Sequence, residues 1–442
     1  TTVQDGIEYT VNITGIAADV NQVKLKIPAD LITDKSGNGN KETDLMMFNA
    51  LKSANYEMDN GEESGFLGNT SIQRQNIENV TFVKGGLSSA TARSSYSAKN
   101  NTGSGHSNST TTWKDLSGSS NGTINGATWH DEYLQFDGVN DWVNLGQMSF
   151  DNNQIVVDVT ISANSIQQGE VDILNNCEAG GAGIVLIDGV PRLDVMISGN
   201  NGNYTKIRAS EPIKVGEKVR ITGMYDGKNV LLYVNGVLVD KTEKEGTLVS
   251  PQNNTVMAIG ANPLGNNAES GFANINVYDV NIYDNVWDVS AQKDGSILAW
   301  SETSNSNGAQ KVYIASEDDI FANYDSGQLF KWIGFGDKCT ATETITNINL
   351  LNTNNVTNMS SMFASTGYKT MTGLDLGENF DTSNVTDMNT MFASAGHEAL
   401  TALDLGDKFD TSKVTDMTSM FNETGQKKLK VLDLKNKFDT SN

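Results

Sequence analysis

The chain has 442 residues, of which 37% are hydrophobic, enough to form packed cores rather than a disordered chain. It carries 31 Lys and Arg residues against 54 Asp and Glu residues, a formal net charge of −23. A field of that sign repels phosphate backbones, so nucleic acid is excluded as an expected partner. No run of about 18 apolar residues occurs, so we expect no membrane insertion by this chain.

Side chains that would support metal or thiol chemistry are few. His106, His130 and His397 are scattered without the spacing of metal ligands. Cys177 and Cys339 lie far apart and no CxxC pattern is present, so we expect neither a zinc site nor a disulfide. The sequence also lacks a Gly-x-Ser-x-Gly elbow, a P-loop and an HExxH motif, and it therefore predicts no enzyme.

The first part of the chain predicts short strands. Residues 7–15 and 23–27 alternate between apolar and polar side chains, as a half-buried strand does. The Asp-x-x-Gly-Asn turn that follows resembles the end of a bacterial immunoglobulin-like repeat, which implies a truncated immunoglobulin-like β-sandwich over 1–45. Residues 46–95 are interpreted as a connecting segment, with a strand at 79–83 that either neighbour could include.

Residues 96–288 contain many short apolar runs separated by turn signals, with no helical periodicity. Asp226-Gly227 and Asn235-Gly236 each separate two alternating runs, which is a strong signal for a tight β-hairpin. Strands joined in this way form antiparallel sheets, and two such sheets bury their apolar faces against each other. This region therefore predicts an antiparallel β-sandwich.

Several motifs of this region follow one another in a recognisable order. They are Trp113-Lys114-Asp115-Leu116-Ser117-Gly118, Phe136-Asp137-Gly138-Val139-Asn140-Asp141-Trp142-Val143, Tyr225-Asp226-Gly227 and Leu232-Tyr233-Val234-Asn235-Gly236. In this order they resemble the laminin-G-like, concanavalin A-like jelly-roll domains of bacteria. The resemblance implies the fold, but this fold hosts lectins, adhesion modules and glycosidases alike.

A glycosidase on this sandwich would carry Glu-x-Asp-x-(x)-Glu on one strand, with both glutamates pointing into the cleft. The nearest match is the segment 170–175, Glu-Val-Asp-Ile-Leu-Asn, in which the second glutamate is missing. A retaining mechanism needs two carboxyl groups about 5–5.5 Å apart. We therefore interpret Glu170 and Asp172 as part of a strand edge and expect no catalysis.

One loop of the jelly roll is a candidate calcium site. Asp137, Asn140 and Asp141 place carboxylate and amide oxygens close together, and hard cations such as Ca²⁺ favour these ligands. The alternative is a turn stabilised by hydrogen bonds to Asx side chains. Trp142 and Trp129 are candidates for stacking on a sugar, with packing in the core or at an edge as the alternative.

The C-terminal part repeats itself with a period of 29 residues. Three copies run over 356–384, 385–413 and 414–442, and a degenerate start precedes them from residue 350. Phenylalanines mark the period in two series, Phe363, Phe392 and Phe421, and Phe380, Phe409 and Phe438. The last copy runs to the end of the chain, and we interpret the chain as a fragment cut at both ends.

Each copy has two halves. The first carries apolar residues at i, i+3 and i+4, such as Met359, Met362 and Phe363, and a short helical turn would bury all three. The second carries Leu-Asp-Leu, and in a strand the leucines face the core while the aspartate faces outward. Stacked copies would present an aspartate ladder, either a binding surface for Ca²⁺ or a basic partner or a solvated strand face: Asp375, Asp404 and Asp433.

The 29-residue period and the L-x-x-L-x-L element fit a leucine-rich-repeat solenoid. The segment 380–392, Phe-Asp-Thr-Ser-Asn-Val-Thr-Asp-Met-Asn-Thr-Met-Phe, also resembles the BspA-like repeats of bacterial surface proteins and mycoplasma lipoprotein-like proteins. By this resemblance, 350–442 are the repeats and 289–349 the segment that leads into them. The family is associated with adhesion to host molecules and other cells, so the resemblance implies that role.

Together these patterns predict a mainly β protein: a partial immunoglobulin-like region, a jelly-roll sandwich over 96–288 and a C-terminal solenoid. We expect a non-catalytic binding or adhesion protein, extracellular or at the cell surface, that recognises glycans or host or cell-surface proteins. Two alternatives stay open. The chain could be an accessory region of a larger secreted carbohydrate-active enzyme or protease, or a structural stalk.

Overall fold

A computed structural model describes residues 22–25, 46–49, 54–56, 65–68, 70–118, 120–148 and 153–441. Over these residues the protein is mainly β, as expected, and contains no α-helix. Its helical structure consists of short 3₁₀ turns at Gly65–Leu67, Arg74–Asn76, Leu87–Ser89, Ala98–Asn100 and Ile348–Leu350. No helix in this part of the chain has the length and apolar character needed to cross a membrane.

The strands before and within the jelly roll are β1 Gln22–Leu25, β2 Met46–Asn49, β3 Ala54–Tyr56, β4 Ile77–Lys84, β5 Ser94–Ser97, β6 Thr112–Trp113, β7 Gly122–Asn125, β8 Thr128–His130, β9 Tyr133–Gln135, β10 Trp142–Gln147, β11 Ile155–Ala163, β12 Glu170–Asn175, β13 Ala182–Ile187, β14 Val190–Met196, β15 Tyr204–Arg208, β16 Val219–Tyr225, β17 Asn229–Val234, β18 Val237–Glu243, β19 Val256–Ile259, β20 Asn262–Leu264, β21 Asn267–Ser270 and β22 Ile275–Tyr283. Those that follow are β23 Val286–Asp288, β24 Leu298–Thr303, β25 Gln310–Ser316, β26 Ile320–Ala322, β27 Ile345–Thr346, β28 Leu351–Asn352, β29 Gly373–Asp375 and β30 Ala402–Asp404.

The first 53 residues form a unit of their own, in which β1 pairs antiparallel with β2. β1 overlaps the strand predicted at 23–27. The strand predicted at 7–15, and most of the immunoglobulin-like region predicted over 1–45, lie outside the described residues.

The jelly roll consists of two antiparallel sheets. The first sheet has the order β15-β14-β13-β12-β19-β10-β7-β6, and the second has the order β18-β17-β16-β11-β22-β9-β8, with β5 also paired to β22. On β11, Ile155, Val157 and Val159 face the core between the two sheets. The antiparallel sandwich expected from the sequence is therefore present.

Both hairpins predicted from Asx-Gly pairs are present. β16 pairs with β17 across Asp226-Gly227, and β17 pairs with β18 across Asn235-Gly236. Asn235 has φ 51° and Gly236 has φ 77°, the left-handed pair that a type I′ turn requires. This turn therefore fixes the pairing of Val234 with Val237 at the start of the β17–β18 hairpin.

A third sheet connects the jelly roll to the C-terminal repeats. Its order is β23-β24-β25-β4-β27, and β4 runs parallel to both β25 and β27. Because β4 precedes the jelly roll in the chain and the other strands follow it, the jelly roll is inserted between strands of one sheet. The strand predicted at 79–83 lies within β4 and belongs to this sheet.

Both faces of the third sheet are buried. On one face, Phe82 and Ile314 belong to a core that continues through the repeats to Met420. On the other face, Trp300 and Ala315 pack against outward-facing residues of the second jelly-roll sheet, which include Val156, Met224, Leu231 and Tyr283. The third sheet therefore joins two cores that the sequence suggests are separate.

The 29-residue copies lie side by side, with equivalent residues facing each other. Asn358, Asp387 and Asp416 form successive parallel bridges. The rings of Phe363, Phe392 and Phe421 stack nearly parallel, with centroids 5.2 and 5.3 Å apart. The methionine and phenylalanine positions of the first half-copies are fully buried in copies one and two, as predicted.

The expected helical turn in the first half of each copy is wrong. The chain makes successive tight turns instead, with Ser361 and Ser365 in the left-handed region at φ 56° and 57°. Alternate residues donate their N–H groups to the next copy, as Phe363 does to the carbonyl of Met391 at 2.8 Å. The spacing i, i+3, i+4 predicted the burial but not the conformation, because hydrogen bonds between copies are invisible in the periodicity of one copy.

The second half of the copies places leucine inside and aspartate outside. β29 and β30 pair in parallel, with Leu374 opposite Leu403 and Asp375 opposite Asp404. The leucines are buried and the aspartates exposed. Copy three forms no strand at the corresponding positions, which are described, so a strand ladder through all three copies is not seen. The leucine-rich-repeat assignment stays a prediction.

The stack begins before the first recognisable copy. Asp325 forms a parallel bridge with Asn358, and the ring of Phe330 stacks on that of Phe363 with centroids 5.4 Å apart. Residues 325–335 therefore form one more turn of the stack. The period did not reveal it because the offset to copy one is 33 residues.

We predict that Phe392→Ala destabilises the repeats by about 3–5 kcal/mol, because it removes the middle ring of the stack and leaves a cavity. The free energy of unfolding from urea titration measures the loss. Tyr324→Ala is the matched control, since Tyr324 is 65% exposed, and we expect a change within about 0.5 kcal/mol. Equal losses in the two variants would contradict the role of the ring stack.

Candidate functional site

An open cleft of about 370 Å³ lies beside β8, the edge strand of the second jelly-roll sheet. Aromatic rings line it together with carboxylate and amide groups: Asn108, Trp129, His130, Asp131, Glu132, Tyr133 and Tyr278. Most of these residues belong to the β8–β9 hairpin, one to the loop before β6 and one to β22. The cleft is therefore built from three separate stretches of sequence.

Local strand geometry puts these side chains together. The β8–β9 hairpin turns at Asp131-Glu132 and places His130 opposite Tyr133, so these two side chains share one side of the hairpin. The pairing of β22 with β11 shifts by one residue at Tyr278. This bulge leaves Tyr278 outside the sandwich core, where it meets Tyr133.

The rings form two tilted surfaces. Tyr133 stacks on His130 with centroids 4.6 Å apart, and it lies 5.6 Å from Tyr278 at an interplanar angle of 58°. The Lys218 ammonium lies 3.7 Å from the centroid of Tyr278, and the Tyr278 hydroxyl is 3.2 Å from that of Ser162. His130 therefore packs against Tyr133 and Lys218 against Tyr278, and both tyrosines are half-buried where they line the cleft.

The hairpin turn supplies the charged groups. Glu132 pairs with Lys99 at 2.9 Å, and this hydrogen bond lowers the pKa of Glu132 and raises the pKa of Lys99. Asp131 is exposed and accepts a hydrogen bond from Asn108 Nδ2 at 3.3 Å. The cleft thus offers carboxylate and amide oxygens next to ring faces.

Such a combination suits a sugar, which can place its C–H face on an aromatic ring while its hydroxyls bind polar side chains. Among the lining residues, only Trp129 is a candidate by sequence. The close spacing of Trp129, His130 and Tyr133 is a signal that could have found the hairpin part. Tyr278 could not be found in this way, because only the pairing of β22 with β9 brings it near.

The loop predicted to bind calcium is a turn whose carboxylates accept backbone hydrogen bonds. Asp137 Oδ1 accepts from the N–H groups of Val139 at 2.7 Å and Asn140 at 3.3 Å. Asp141 Oδ2 accepts from the N–H of Asp137 at 2.9 Å, and burial raises the pKa of Asp141. No group of three or more His, Cys, Asp or Glu side chains in the described chain is arranged to hold a metal ion. Calcium binding by Asp137, Asn140 and Asp141 stays a prediction.

The two candidate tryptophans lie in different surroundings. Trp142 is half-buried on β10 of the first sheet, opposite Asn125, and does not line the cleft. Trp129 lines the cleft but is only 7% exposed. Its indole N–H donates to the carbonyl of Thr110 at 3.0 Å, and its ring packs edge-on against Trp113. Trp129 therefore supports the cleft from within the core.

The aspartates of the predicted ladder are exposed, as expected. Asp375 and Asp404 lie in register on β29 and β30, and Asp433 occupies the equivalent position of copy three. Each accepts a hydrogen bond from the N–H two residues later, at 2.8, 3.0 and 2.9 Å. Lys435 also contacts Asp404 at 2.9 Å. Ligand binding by this ladder stays a prediction.

The strand compared with a glycosidase motif carries a polar cluster outside the sandwich core. A bulge after Asp172 brings Asn175 to the same side, and its Nδ2 donates to the Asp172 carboxylate. Arg192 binds Glu170 at 2.8 Å and Asp194 at 2.6 Å. Asp172 is 1% exposed, and burial raises its pKa to about 7. An amide therefore stands where the motif requires its second carboxylate.

Two family models match parts of this chain. Residues 137–290 match the concanavalin A-like lectin/glucanases superfamily. Residues 335–442 match DUF285, a mycoplasma protein family of unknown function. The matches support the jelly-roll and repeat domains inferred from the sequence. No curated protein matches the chain.

Some solved structures are similar to part of the chain. A Trypanosoma rangeli sialidase in complex with sialic acid is 14% identical, with a TM-score of 0.33, over 43% of this chain and 30% of the sialidase. The binding domain of botulinum neurotoxin serotype D/C is 14% identical, with a TM-score of 0.32, over 44% of this chain and 49% of that one. The receptor-binding domain of botulinum neurotoxin type G is 14% identical, with a TM-score of 0.33, over 46% of this chain and 50% of that one. The chain thus spans half or less of each protein, and TM-scores this low carry no functional argument.

We predict that Asp172→Asn stabilises the protein relative to wild type as pH rises. The folded state keeps a proton on Asp172 up to about pH 7, whereas the unfolded chain loses it near 3.8, so wild-type stability falls between these values. The variant has no carboxyl group at this position, so its stability does not fall with pH in this way. Its free energy of unfolding should rise relative to that of wild type by on the order of 2–4 kcal/mol between pH 4 and pH 8. Urea titrations of both proteins across this range measure the difference.

Asp407→Asn is the matched control for this comparison, since Asp407 is exposed. It should show no pH-dependent gain. A gain of equal size in both variants, or none in Asp172→Asn, would show that Asp172 is not held protonated in the fold.

Proposed function

We propose that this protein is a non-catalytic glycan-binding protein and that the cleft beside β8 is its sugar site. The observation that carries the proposal is that two neighbouring tyrosine rings, Tyr133 and Tyr278, line one open cleft together with Asp131 and Asn108. The match of 137–290 to a superfamily that includes lectins supports it. Residues outside the family match, in the β8–β9 hairpin, supply most of the cleft.

The charge of the cleft favours uncharged glycans. Asp131 and Glu132 stand together on the turn, and the whole chain carries a formal charge of −23. An acidic sugar would enter against this field, whereas the hydroxyls of a neutral sugar can donate to the carboxylates. We therefore propose neutral hexoses as the ligand class.

The polar cluster on β12 supports the absence of catalysis. Glu170 is held by Arg192, and Asp172 is buried and bonded to Asn175. Neither arrangement leaves two carboxyl groups facing one substrate, which glycoside hydrolysis by paired acids requires. The protein should bind its glycan and release it unchanged.

The repeats extend the proposal to a second surface. Stacked copies with an exposed aspartate ladder support a leucine-rich-repeat type of solenoid that contacts a host or cell-surface protein, in an extracellular or cell-surface location. The proposed assignments of the repeats to adhesion and of the cleft to glycans are independent. The loss of one would leave the other standing.

Glycan-array binding of the whole 442-residue protein, with and without Ca²⁺, tests the proposal. We expect neutral glycans among the ligands and a loss of affinity of roughly tenfold or more in Tyr133→Ala and in Tyr278→Ala, since each removes one stacking face. Incubation with the bound glycan should yield no cleaved product.

Tyr324→Ala serves as the control, because Tyr324 is an exposed tyrosine outside the jelly roll and should bind normally when replaced. If no glycan binds under either calcium condition, or if the two cleft variants bind as well as wild type, the sugar site is wrong. Appearance of a hydrolysis product would overturn the non-catalytic assignment.

A further inference from the structure

Four polar groups form a chain of contacts that ends in the cleft. His106 Nδ1 lies 2.7 Å from the carbonyl oxygen of Ala98, and His106 Nε2 lies 2.8 Å from Asn108 Oδ1. Asn108 Nδ2 lies 3.3 Å from Asp131 Oδ1. We call these four groups the His106 relay. It joins the loop before β6 to the β8–β9 turn, and its last two members line the cleft.

The relay needs one more proton than its neutral groups supply. Both ends, the Ala98 carbonyl and the Asp131 carboxylate, can only accept hydrogen bonds. Between them, a neutral imidazole offers one donor and one acceptor, and the Asn108 amide offers one donor end and one acceptor end. Three contacts therefore share two donors when His106 is neutral. In one of the three contacts, two hydrogen-bond acceptors must then face each other with no proton between them. An imidazolium at His106 donates from both nitrogens and satisfies all three contacts.

We propose that His106 is a positioning residue whose protonation fixes Asn108 and Asp131 in the arrangement that binds glycan, so that the affinity of the cleft rises as pH falls. This inference rests on the proposed function of the cleft. The proton comes from the solvent, adds to an imidazole nitrogen and returns to the solvent at higher pH. No other bond forms or breaks.

The surroundings of His106 fit this role. The hydrogen bond between His106 and Asn108 raises the pKa of His106 from its ordinary value. The hydrogen bond to the Ala98 carbonyl raises it further. The charge that acts on it across the relay is Asp131. Glu132, beside Asp131, is paired with Lys99 from the turn that follows β5.

His130 is the other histidine of the cleft and does not have the same need for a proton. Its Nε2 lies 3.1 Å from Gln135 Oε1. The Gln135 amide can present either its oxygen or its NH₂ to the ring, so a neutral His130 is satisfied. The proton shortage is a property of His106 because two acceptor-only groups end its relay.

The test measures the Kd of the whole protein for the neutral glycan found on the array, from pH 5.5 to pH 8. Wild type should bind on the order of fivefold more tightly at the acidic end. His106→Gln should bind with the affinity that wild type has at pH 8 throughout, because glutamine offers one donor and one acceptor end, like a neutral imidazole. His397→Gln, a change in the repeats, should keep the wild-type pH profile.

A second readout does not depend on any glycan. The imidazole of His106 can be titrated by NMR in the whole protein, and Asn108→Ala should lower its pKa by removing the acceptor. If the pKa does not change in Asn108→Ala, the relay is overturned even where glycan binding is absent. If wild type binds glycan equally at all pH values, or if His106→Gln keeps the pH dependence, the inference fails while the sugar site stands.

Discussion

Burial of both faces of the third sheet is the constraint on which the rest of this molecule depends. Alternation along β25 sends Ile314 toward the repeats and Ala315 toward the jelly roll. Its partner β4 is parallel, and parallel strands normally need cover on both faces. Removal of either the jelly roll or the repeats would therefore expose apolar residues of the third sheet to solvent. Insertion of the jelly roll between β4 and β23 costs little in chain entropy, because closure cost grows only slowly with loop length.

This arrangement also decides where a ligand can reach the jelly roll. β22 carries Tyr283, which is buried under the third sheet, and Tyr278, which lines the cleft. One strand thus has a covered end and an open end. The β8–β9 hairpin lies at the open end, paired to β22 through Leu134 and Gln135. The cleft lies on the part of the second sheet that the third sheet leaves uncovered.

The sequence predicted those features whose signals are local. Asx-Gly pairs predicted the hairpins, and the period of 29 predicted the stacked copies. The Leu-Asp-Leu alternation predicted which side chains of β29 and β30 face the core and which face solvent. It did not predict what depends on distant pairing. The third sheet pairs residues 77–84 with 310–316. The turn at 325–335 lies 33 residues before its equivalent in copy one, so the period of 29 does not reveal it.

The candidate site divides in the same way. The candidates by sequence in the jelly roll are Trp142, Trp129 and the loop from Asp137 to Asp141, and of these only Trp129 lines the cleft. The cleft instead combines a hairpin, an upstream loop and Tyr278, and the bulge that exposes Tyr278 arises from a shift in its pairing with β11. Neither the bulge nor the relay that ends at Asp131 can be inferred from composition or from the spacing of residues.

The acidic composition has a structural explanation that separates it from metal binding. Many aspartates accept the N–H of the residue two positions later and so hold a turn: Asp137, Asp226, Asp375, Asp387, Asp404, Asp416, Asp433 and Asp439. A carboxylate used in this way satisfies a backbone N–H group of its own turn. In the repeats this happens once or more in every copy, so the number of acidic residues grows with each turn of the stack. A high count of acids is therefore expected of a turn-rich β protein of this kind, and the cleft differs because Asp131 accepts from a side chain, Asn108, rather than from its own turn.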